Sequence, residues 1–242
     1  FTVCLSSQVG CAMGCRFCAT GRLGAGRDLE PWEMVAQLVA VRAEAPGHVA
    51  GAVFQGQGEP LATLDRVLAA ADLLADPCAG RIAARAITLS TVGVVPGILR
   101  LARERRRERL IVSLTSAVDE RRRALVPAAA AWPVAELAEA VRTYQRAVGG
   151  RVTLGWVVLG GVNTGDDEVA ALARHFHGVP IRLDLIDVND PRPDGFRRAT
   201  AEELAAFRDR LRAGLGVPVA RRYSGGASRH AACGMLAGRR SG

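Results

Sequence analysis

The sequence predicts an α/β fold built on a parallel β-sheet. Three observations support this fold: short apolar segments of strand character, longer amphipathic segments of helical character between them, and the regular alternation of the two along the chain. Strands that are separated by helix-length segments form βαβ units, whose strands pair in parallel. About six such units suit either a doubly wound sheet or a barrel-like sheet, and the pattern alone leaves this choice open.

The individual elements follow from local patterns. The predicted strands are Thr2–Ser6, Val49–Gln55, Ala86–Ser90, Leu110–Thr115, Arg151–Leu159, Ile181–Val188 and Val217–Arg221. The predicted helices are Pro31–Ala45, Leu64–Ala75, Pro96–Arg107, Pro133–Val148, Asp166–His175 and Ala201–Gly214. Prolines 31, 96 and 133 each stand where a helix begins, a position that proline favours. Thr200 and Glu203 have the spacing of a capping box before the last helix.

Length and composition are those of one globular domain. The chain has 242 residues, of which 49% are hydrophobic and 23% charged, and these values exclude a disordered chain. No run of 18 uncharged apolar residues occurs, so the sequence predicts no membrane span. The first residues also lack the pattern of a secretory signal.

The net charge of +8 is the difference between 32 basic residues, all of them arginine, and 24 acidic residues. A basic balance permits an anionic partner such as RNA. The densest runs are Arg103–Arg109 and Arg121–Arg123, and each is predicted to be a solvated helix face.

Cysteine spacing carries the strongest chemical signal. Four of the six cysteines lie within the first 18 residues, which indicates a cytoplasmic metal or redox centre rather than a secreted disulfide framework. Cys11, Cys15 and Cys18 form a Cys-x3-Cys-x2-Cys motif in a loop that follows the first strand. Tetrahedral zinc would need a fourth ligand, for which Cys4 and His48 are the nearest candidates. A cubane iron–sulfur cluster can use three cysteines and leave one iron open.

Polar residues follow several predicted strands. Glu59, Ser90, Ser113 and Asn189 lie at or just beyond the carboxyl ends of strands, the end where parallel α/β barrels build their active sites. On the first strand, residue alternation places Cys4 on the same face as Thr2 and Ser6.

The order of these motifs resembles the radical S-adenosylmethionine (SAM) superfamily, and in particular its RlmN/Cfr-like RNA methyltransferases. The resemblance runs from about Thr2 to Gly238. It rests on the cysteine motif, Gly58-Glu59-Pro60, the segment from Leu89 to Pro96, Leu159–Asn163 and Ala231–Gly234. It implies a partial (β/α)6 barrel over residues 1–222, followed by a short irregular C-terminal segment, residues 223–242.

The resemblance implies two cofactors and their ligands. Cys11, Cys15 and Cys18 would hold a 4Fe–4S cluster whose open iron binds SAM. The other SAM-contacting positions of the family fall on Gly58, Glu59, Ser90, Ser113, Leu114, Thr115 and Asn189.

The resemblance also assigns roles to two further cysteines, Cys233 and Cys4. Cys233 would take a methyl group from one SAM, and the radical made from a second SAM would remove hydrogen from that methyl. The resulting methylene radical would add to C2 or C8 of an adenosine in rRNA or tRNA. Cys4 would then release the product through a Cys4–Cys233 disulfide. Dividing one difficult step into covalent stages is general enzyme logic.

Several residues depart from the family pattern, and they leave the substrate open. Thr115 replaces a histidine, Gly155 and Gly160 replace acidic residues, and the sequence before Cys233 lacks the usual Arg-Gly-Asp-Asp. The family's accessory RNA-holding domain is also outside these 242 residues. Three hypotheses follow: an RNA adenosine methylase, a methylase of a small molecule or peptide with the same cysteine pair, and a non-catalytic RNA-binding relative. The expected partners are RNA and a one-electron donor such as flavodoxin or ferredoxin, with a monomeric, cytoplasmic enzyme that uses no membrane.

Overall fold

The fold is an open half-barrel of parallel strands. The computed structural model describes residues 1–189, 195–222, 226 and 232–236. Its strands are β1 (Thr2–Leu5), β2 (Gln8–Gly10), β3 (Ala25–Asp28), β4 (Gly51–Phe54), β5 (Ile87–Thr91), β6 (Arg109–Ser113), β7 (Val152–Val158), β8 (Ile181–Asp187) and β9 (Val219–Arg222). Its helices are α1 (Ala19–Leu23), α2 (Pro31–Glu44), α3 (Leu64–Ala75), α4 (Val95–Arg103), α5 (Asp119–Leu125), α6 (Val134–Val148), α7 (Asp166–Phe176) and α8 (Ala201–Leu215).

Seven of the strands form one sheet in the order β1-β4-β5-β6-β7-β8-β9, and every neighbouring pair is parallel. The sheet curls into a half-barrel with β1 and β9 at its edges. This confirms the partial barrel and corrects the alternative of a doubly wound sheet. The predicted C-terminal segment, residues 223–242, lies outside the described residues except for 226 and 232–236.

Every predicted strand and helix is present, with ends that differ by a few residues. The elements that the sequence did not predict are short: the β2–β3 hairpin, α1 and α5. The strands of the hairpin have three and four residues, and both helices have fewer than eight. Elements this short do not repeat an apolar pattern often enough for it to be recognised.

The arginine runs were predicted wrongly. Arg103–Arg109 spans the end of α4, a turn and the first residue of β6, rather than one helix face. The run Arg121–Arg123 does lie on a helix, but Arg122 is buried, with 1% of its surface exposed.

The hydrophobic core lies between the convex face of the sheet and the surrounding helices. Along β1, Val3 and Leu5 are buried in this core while Thr2 and Cys4 are exposed on the other face. Trp156 on β7 stacks obliquely on Phe207 of α8, with ring centroids 5.7 Å apart, and both are fully buried. One face of each strand is therefore committed to the core, which leaves the concave face free for chemistry.

Two buried polar side chains anchor the turns that follow β6 and β7. The Asn163 Nδ2 donates to the carbonyl oxygens of Thr115 (2.6 Å) and Val157 (2.8 Å), and its Oδ1 accepts from the Leu159 N–H (2.8 Å). Glu168, in the first turn of α7, accepts from the Ser116 hydroxyl (2.6 Å), the Ala117 N–H (2.7 Å) and Arg121 (2.6 Å). These bonds replace hydration that the buried turns lose.

We expect Glu168→Gln to destabilise the fold by about 3 kcal/mol, because the fully buried carboxylate accepts from Ser116, Ala117 and Arg121, and an amide would replace one acceptor oxygen by a donor. Urea unfolding of the apoprotein measures the change. Glu139→Gln is the control, since the Glu139 side chain is 60% exposed in a surface pair, and it is expected to change stability by less than about 0.5 kcal/mol. A loss below about 1 kcal/mol for Glu168→Gln would contradict the assigned role.

Candidate active site

The carboxyl ends of the strands surround one cavity, and it gathers most of the residues predicted from the sequence. The predicted site residues that line it are Cys11, Cys15, Cys18, Gly58, Glu59, Ser90, Ser113, Asn189 and Cys233. Cys4, Leu114 and Thr115 are not among the lining residues of the described chain. The rest of the lining is mainly apolar, with Met13, Phe17, Val92 and Val126 among its members.

The Gly-x-Gly-Glu loop after β4 is joined closely to the chain after β1. Gln57 accepts from the N–H groups of Ser7 (2.9 Å) and Gln8 (3.2 Å) through its carbonyl, and from Gly10 (3.0 Å) through its side chain. Gly58 has a φ of +100°, and a Cβ there would lie 2.6 Å from the Ser7 Oγ. Only glycine tolerates both conditions. The motif therefore places the start of the cysteine loop beside the end of β4.

The cysteine loop is braced at several points. The Cys11 N–H donates to the Gly24 carbonyl (2.8 Å), and the Arg16 N–H donates to the Leu125 carbonyl at the end of α5 (3.0 Å). Gly14, between the cysteines, has a φ of +67°, which turns the loop back on itself. All three side chains consequently face the same cavity.

The three thiols fit a cluster better than a single metal ion. Within the described residues, no three His, Cys, Asp or Glu side chains converge closely enough to hold one ion. Zinc needs its four donors about 2.3 Å or less from one point. A cubane cluster binds each cysteine to a different iron, so its ligands stand apart around a shared volume. The arrangement of Cys11, Cys15 and Cys18 around a largely apolar cavity suits such a cluster.

Burial raises the pKa of Cys15 far above its usual range, and the neighbouring Cys18, Cys11 and Glu59 raise it further. Desolvation also raises the pKa of Cys11. Thiolates at these positions therefore need a strong positive partner, which a metal centre supplies when it displaces the protons.

The Glu59 carboxylate forms hydrogen bonds with backbone groups of two loops. Its carboxylate accepts from the Leu61 N–H (3.0 Å) and the Val92 N–H (2.8 Å), which ties the loop after β4 to the loop after β5. The side chain is buried, and desolvation raises its pKa to about 7 against the lowering effect of these hydrogen bonds. Glu59 thus has a structural function in addition to lining the cavity.

Neighbouring strands bring the two predicted serines together. The hydroxyls of Ser90 and Ser113 are 3.4 Å apart, and Gly155 of β7 lies beside Ser113 in register. Leu114 belongs to the hydrophobic core, and the Thr115 side chain is fully buried with a φ of +61°. The side chains of Leu114 and Thr115 therefore point away from the cavity that holds the other predicted residues.

Asn189 secures the segment that carries Cys233. Its Nδ2 donates to the Cys233 carbonyl (3.2 Å), while Arg198 donates to its Oδ1. On the other side, the Ala19 N–H donates to the Gly234 carbonyl (2.7 Å), and the Thr20 hydroxyl donates to the Leu236 carbonyl. Residues 232–236 are therefore held between β8 and the first helix after the cysteine motif.

Gln55 links the two cysteines that were predicted to act together, and the sequence analysis did not identify it. Its Nε2 lies 3.8 Å from the Cys233 Sγ, within the range of a weak hydrogen bond to sulfur.

Burial raises the pKa of Cys233 to about 11, and the nearby thiols of Cys18 and Cys4 contribute. Solvent reaches Cys4, yet desolvation by the surrounding walls raises its pKa, while the Gln55 backbone lowers it. The signal was available, because Gln55 is a polar residue at the carboxyl end of a buried strand.

Among the helices of the described chain, none combines the length and apolar character that crossing a bilayer requires.

Comparison with known proteins agrees with this geometry. Residues 5–174 match the model of the radical SAM superfamily. A "Probable RNA methyltransferase" of Anaeromyxobacter sp. (strain Fw109-5) is 53% identical over 98% of this chain and 70% of its own length. "Dual-specificity RNA methyltransferase RlmN 1" of Myxococcus xanthus is 40% identical over 97% of this chain and 66% of its own length.

A solved structure shows the same fold at high similarity. The radical SAM methyltransferase from Sphaerobacter thermophilus has a TM-score of 0.92 and 42% identity, covering 97% of this chain and 70% of that one. The chain spans about two thirds of the length of the curated relatives that it matches. It therefore belongs to the radical SAM superfamily and, within that superfamily, to the RlmN-like RNA methyltransferases.

Proposed function

We propose that this enzyme methylates C2 or C8 of an adenosine in rRNA or tRNA through a methylated Cys233, with two molecules of SAM consumed in each turnover. The observation that carries the proposal is the placement of Cys233: its thiol lies in the cavity of the cysteine motif, beside Gln55 and near Cys4. An aromatic carbon such as adenine C2 is a poor nucleophile and does not attack the SAM methyl group directly. A cysteine sulfur is a good nucleophile and can accept that methyl group first.

Cys11, Cys15 and Cys18 would hold the 4Fe–4S cluster, and SAM would occupy the space between them, Glu59 and the Ser90–Ser113 pair. When bound, the cluster supplies the electron that cleaves SAM to a radical able to take hydrogen from a methyl group. The apolar lining of the cavity excludes water from this chemistry. Reduced flavodoxin or ferredoxin in the cytoplasm is the class of electron donor that we assign.

The chain's own residues perform the polar steps. The Cys233 sulfur attacks the SAM methyl group, so that a new S–C bond forms while the old one breaks and S-adenosylhomocysteine leaves. Because the Cys233 pKa is about 11, its proton must be lost as the step proceeds. Before release, the adduct would lose the proton of the attacked base carbon and one electron, for which the oxidised cluster would be the acceptor. In the release step, the Cys4 thiolate attacks the Cys233 sulfur. An S–S bond forms, and the electron pair of the broken S–C bond passes to the product carbon, which takes a proton.

The charge of the chain supports a nucleic-acid substrate. The net charge is +8 and every basic residue is an arginine, whose planar guanidinium can contact a phosphate through two N–H groups. Substrate binding that rests on such contacts weakens steeply with added salt.

Mass spectrometry of digested RNA tests the substrate. RNA from cells without the gene is expected to lack one methyladenosine that wild-type cells contain, and comparison with standards separates C2 from C8 methylation. Restoring the gene is expected to restore the nucleoside. Unchanged RNA from cells that express the protein would contradict the RNA assignment and favour a small-molecule or peptide substrate.

The cysteine pair is tested by two single variants of the reconstituted enzyme. Cys233→Ala is expected to abolish methyl transfer from SAM to the protein while leaving the cluster absorbance unchanged, because the acceptor sulfur is gone. Cys4→Ala is expected to accept the methyl group but to accumulate a covalent enzyme–substrate adduct, visible as a mass increase. Normal multiple turnover by Cys4→Ala would exclude Cys4 as the resolving residue.

Gln55→Glu is expected to slow methylation of Cys233 by about tenfold at saturating SAM, because a donor to the sulfur becomes a carboxylate that repels the developing thiolate. The rate comes from the mass of the Cys233 peptide, and saturating SAM separates it from any change in SAM binding. Gln145→Glu, in the last turn of α6 and outside the cavity lining, is the control for the same change of charge. Equal rates for the two variants would show that the 3.8 Å contact has no influence on the thiol.

A further inference from the structure

Arg122 is a buried cation with no carboxylate within salt-bridge distance among the described residues. Only 1% of its surface is exposed. Its Nη2 donates to the Val92 carbonyl (2.5 Å) and its Nη1 to the Trp132 carbonyl (3.2 Å), while its Nε is buried with no hydrogen-bond partner in the described chain. Asp119, which precedes Arg122 by about one turn on α5, accepts from the Val134 N–H (2.8 Å).

Two other partly buried arginines have carboxylate partners, whereas the half-buried Arg42 donates to the carbonyl oxygens of Val49 and Gly80. Arg121, the preceding residue, contacts both Asp167 and Glu168, and Arg106 contacts Asp72 and Glu108. A buried charge without a partner is costly, by several kcal/mol per ion in general. Arg122 is almost fully buried, so its charge calls for a negative partner that the side chains of the described residues do not supply.

The position of Arg122 identifies the source of that charge. Val92, whose carbonyl it contacts, lines the cavity, and so does Val126, which follows Arg122 by one helical turn. Cys15 packs with Leu125 and Val126 at the end of the same helix. The guanidinium therefore lies directly behind the part of the cavity wall that adjoins the cysteine motif.

Electrostatics agree with this placement. Desolvation lowers the pKa of Arg122 to about 10, while Asp119 and Cys15 act in the opposite direction. The side chain consequently remains charged near neutral pH, and Cys15 is within reach of its field.

We propose that Arg122 is the buried counter-charge of the iron–sulfur cluster and raises the cluster's reduction potential. This inference rests on the proposed ligand set of Cys11, Cys15 and Cys18. Three thiolates make the cluster assembly anionic, and one-electron reduction adds a further negative charge. A cation fixed in a medium of low dielectric constant stabilises the reduced form more than the oxidised form. Arg122 does not touch the reacting atoms, so it acts on the cluster only through its positive charge.

The test is an anaerobic redox titration of the reconstituted full chain, followed by electron paramagnetic resonance. Arg122→Met is expected to disfavour reduction by about tenfold, which equals about 59 mV for one electron, whereas Arg122→Lys keeps the charge and stays within about threefold of wild type. Arg123→Met removes the same charge from the exposed neighbouring position and is expected to leave the potential unchanged. An unchanged potential in Arg122→Met would overturn the inference.

The free energy of unfolding, measured for the apoprotein and for the reconstituted protein, separates an electrostatic role of Arg122 from a purely structural one. If Arg122 serves the cluster, Arg122→Met loses stability in the reconstituted protein and little or none in the apoprotein, where its charge is uncompensated. Equal losses in both forms would show that Arg122 only braces Val92 and Trp132. Arg122→Gln replaces Arg122→Met if that variant fails to fold.

Different results would contradict the methyl-transfer proposal and the proposal for Arg122. Shifted potentials without methylation of Cys233 would contradict the methyl-transfer proposal alone. Methylation of Cys233 with unshifted potentials would contradict the role of Arg122 alone. A wild-type protein that binds no cluster would overturn both.

Discussion

Parallel pairing of the seven main strands is the constraint on which the site depends. Because all seven strands run in the same direction, their carboxyl ends meet at one edge, and the loops that follow them surround a shared volume. The cysteine motif follows β1, Glu59 follows β4, and Ser90, Ser113 and Asn189 come from the ends of β5, β6 and β8. No single segment could supply this set.

Because the sheet is curved, its two faces lie in different environments. The convex face is buried beneath the helices, so its residues are large and apolar, as the Trp156–Phe207 contact shows. The concave face carries small or polar residues such as Cys4, Ser90 and Gly155. An open half-barrel rather than a closed barrel leaves this face accessible, and that access suits an enzyme whose proposed substrate is a folded RNA.

Buried hydrogen bonds determine how precisely the loops are held. Asn163, Glu168 and Glu59 each satisfy backbone groups of turns at the active edge, where no strand partner is available. The segment of Cys233 is secured in the same way by Asn189 and the start of α1. Polar residues of the family motifs thus both line the cavity and support the loops, as Glu59 does when its two carboxylate oxygens accept from backbone N–H groups.

The sequence by itself determined the order and type of the main elements and identified many of the residues that line the cavity. Alternation of apolar residues along β1 and helical periodicity between the strands are local properties, and the spacing of Cys11, Cys15 and Cys18 restricts them to one loop. Local patterns could not show which polar residue turns inward. Only the tertiary structure placed Gln55 against Cys233, buried Thr115 away from the cavity, and enclosed Arg122 behind the cysteine loop within a run that looks like a solvated surface. These outcomes depend on contacts between residues that are far apart in sequence, and the packing of the whole sheet decides them.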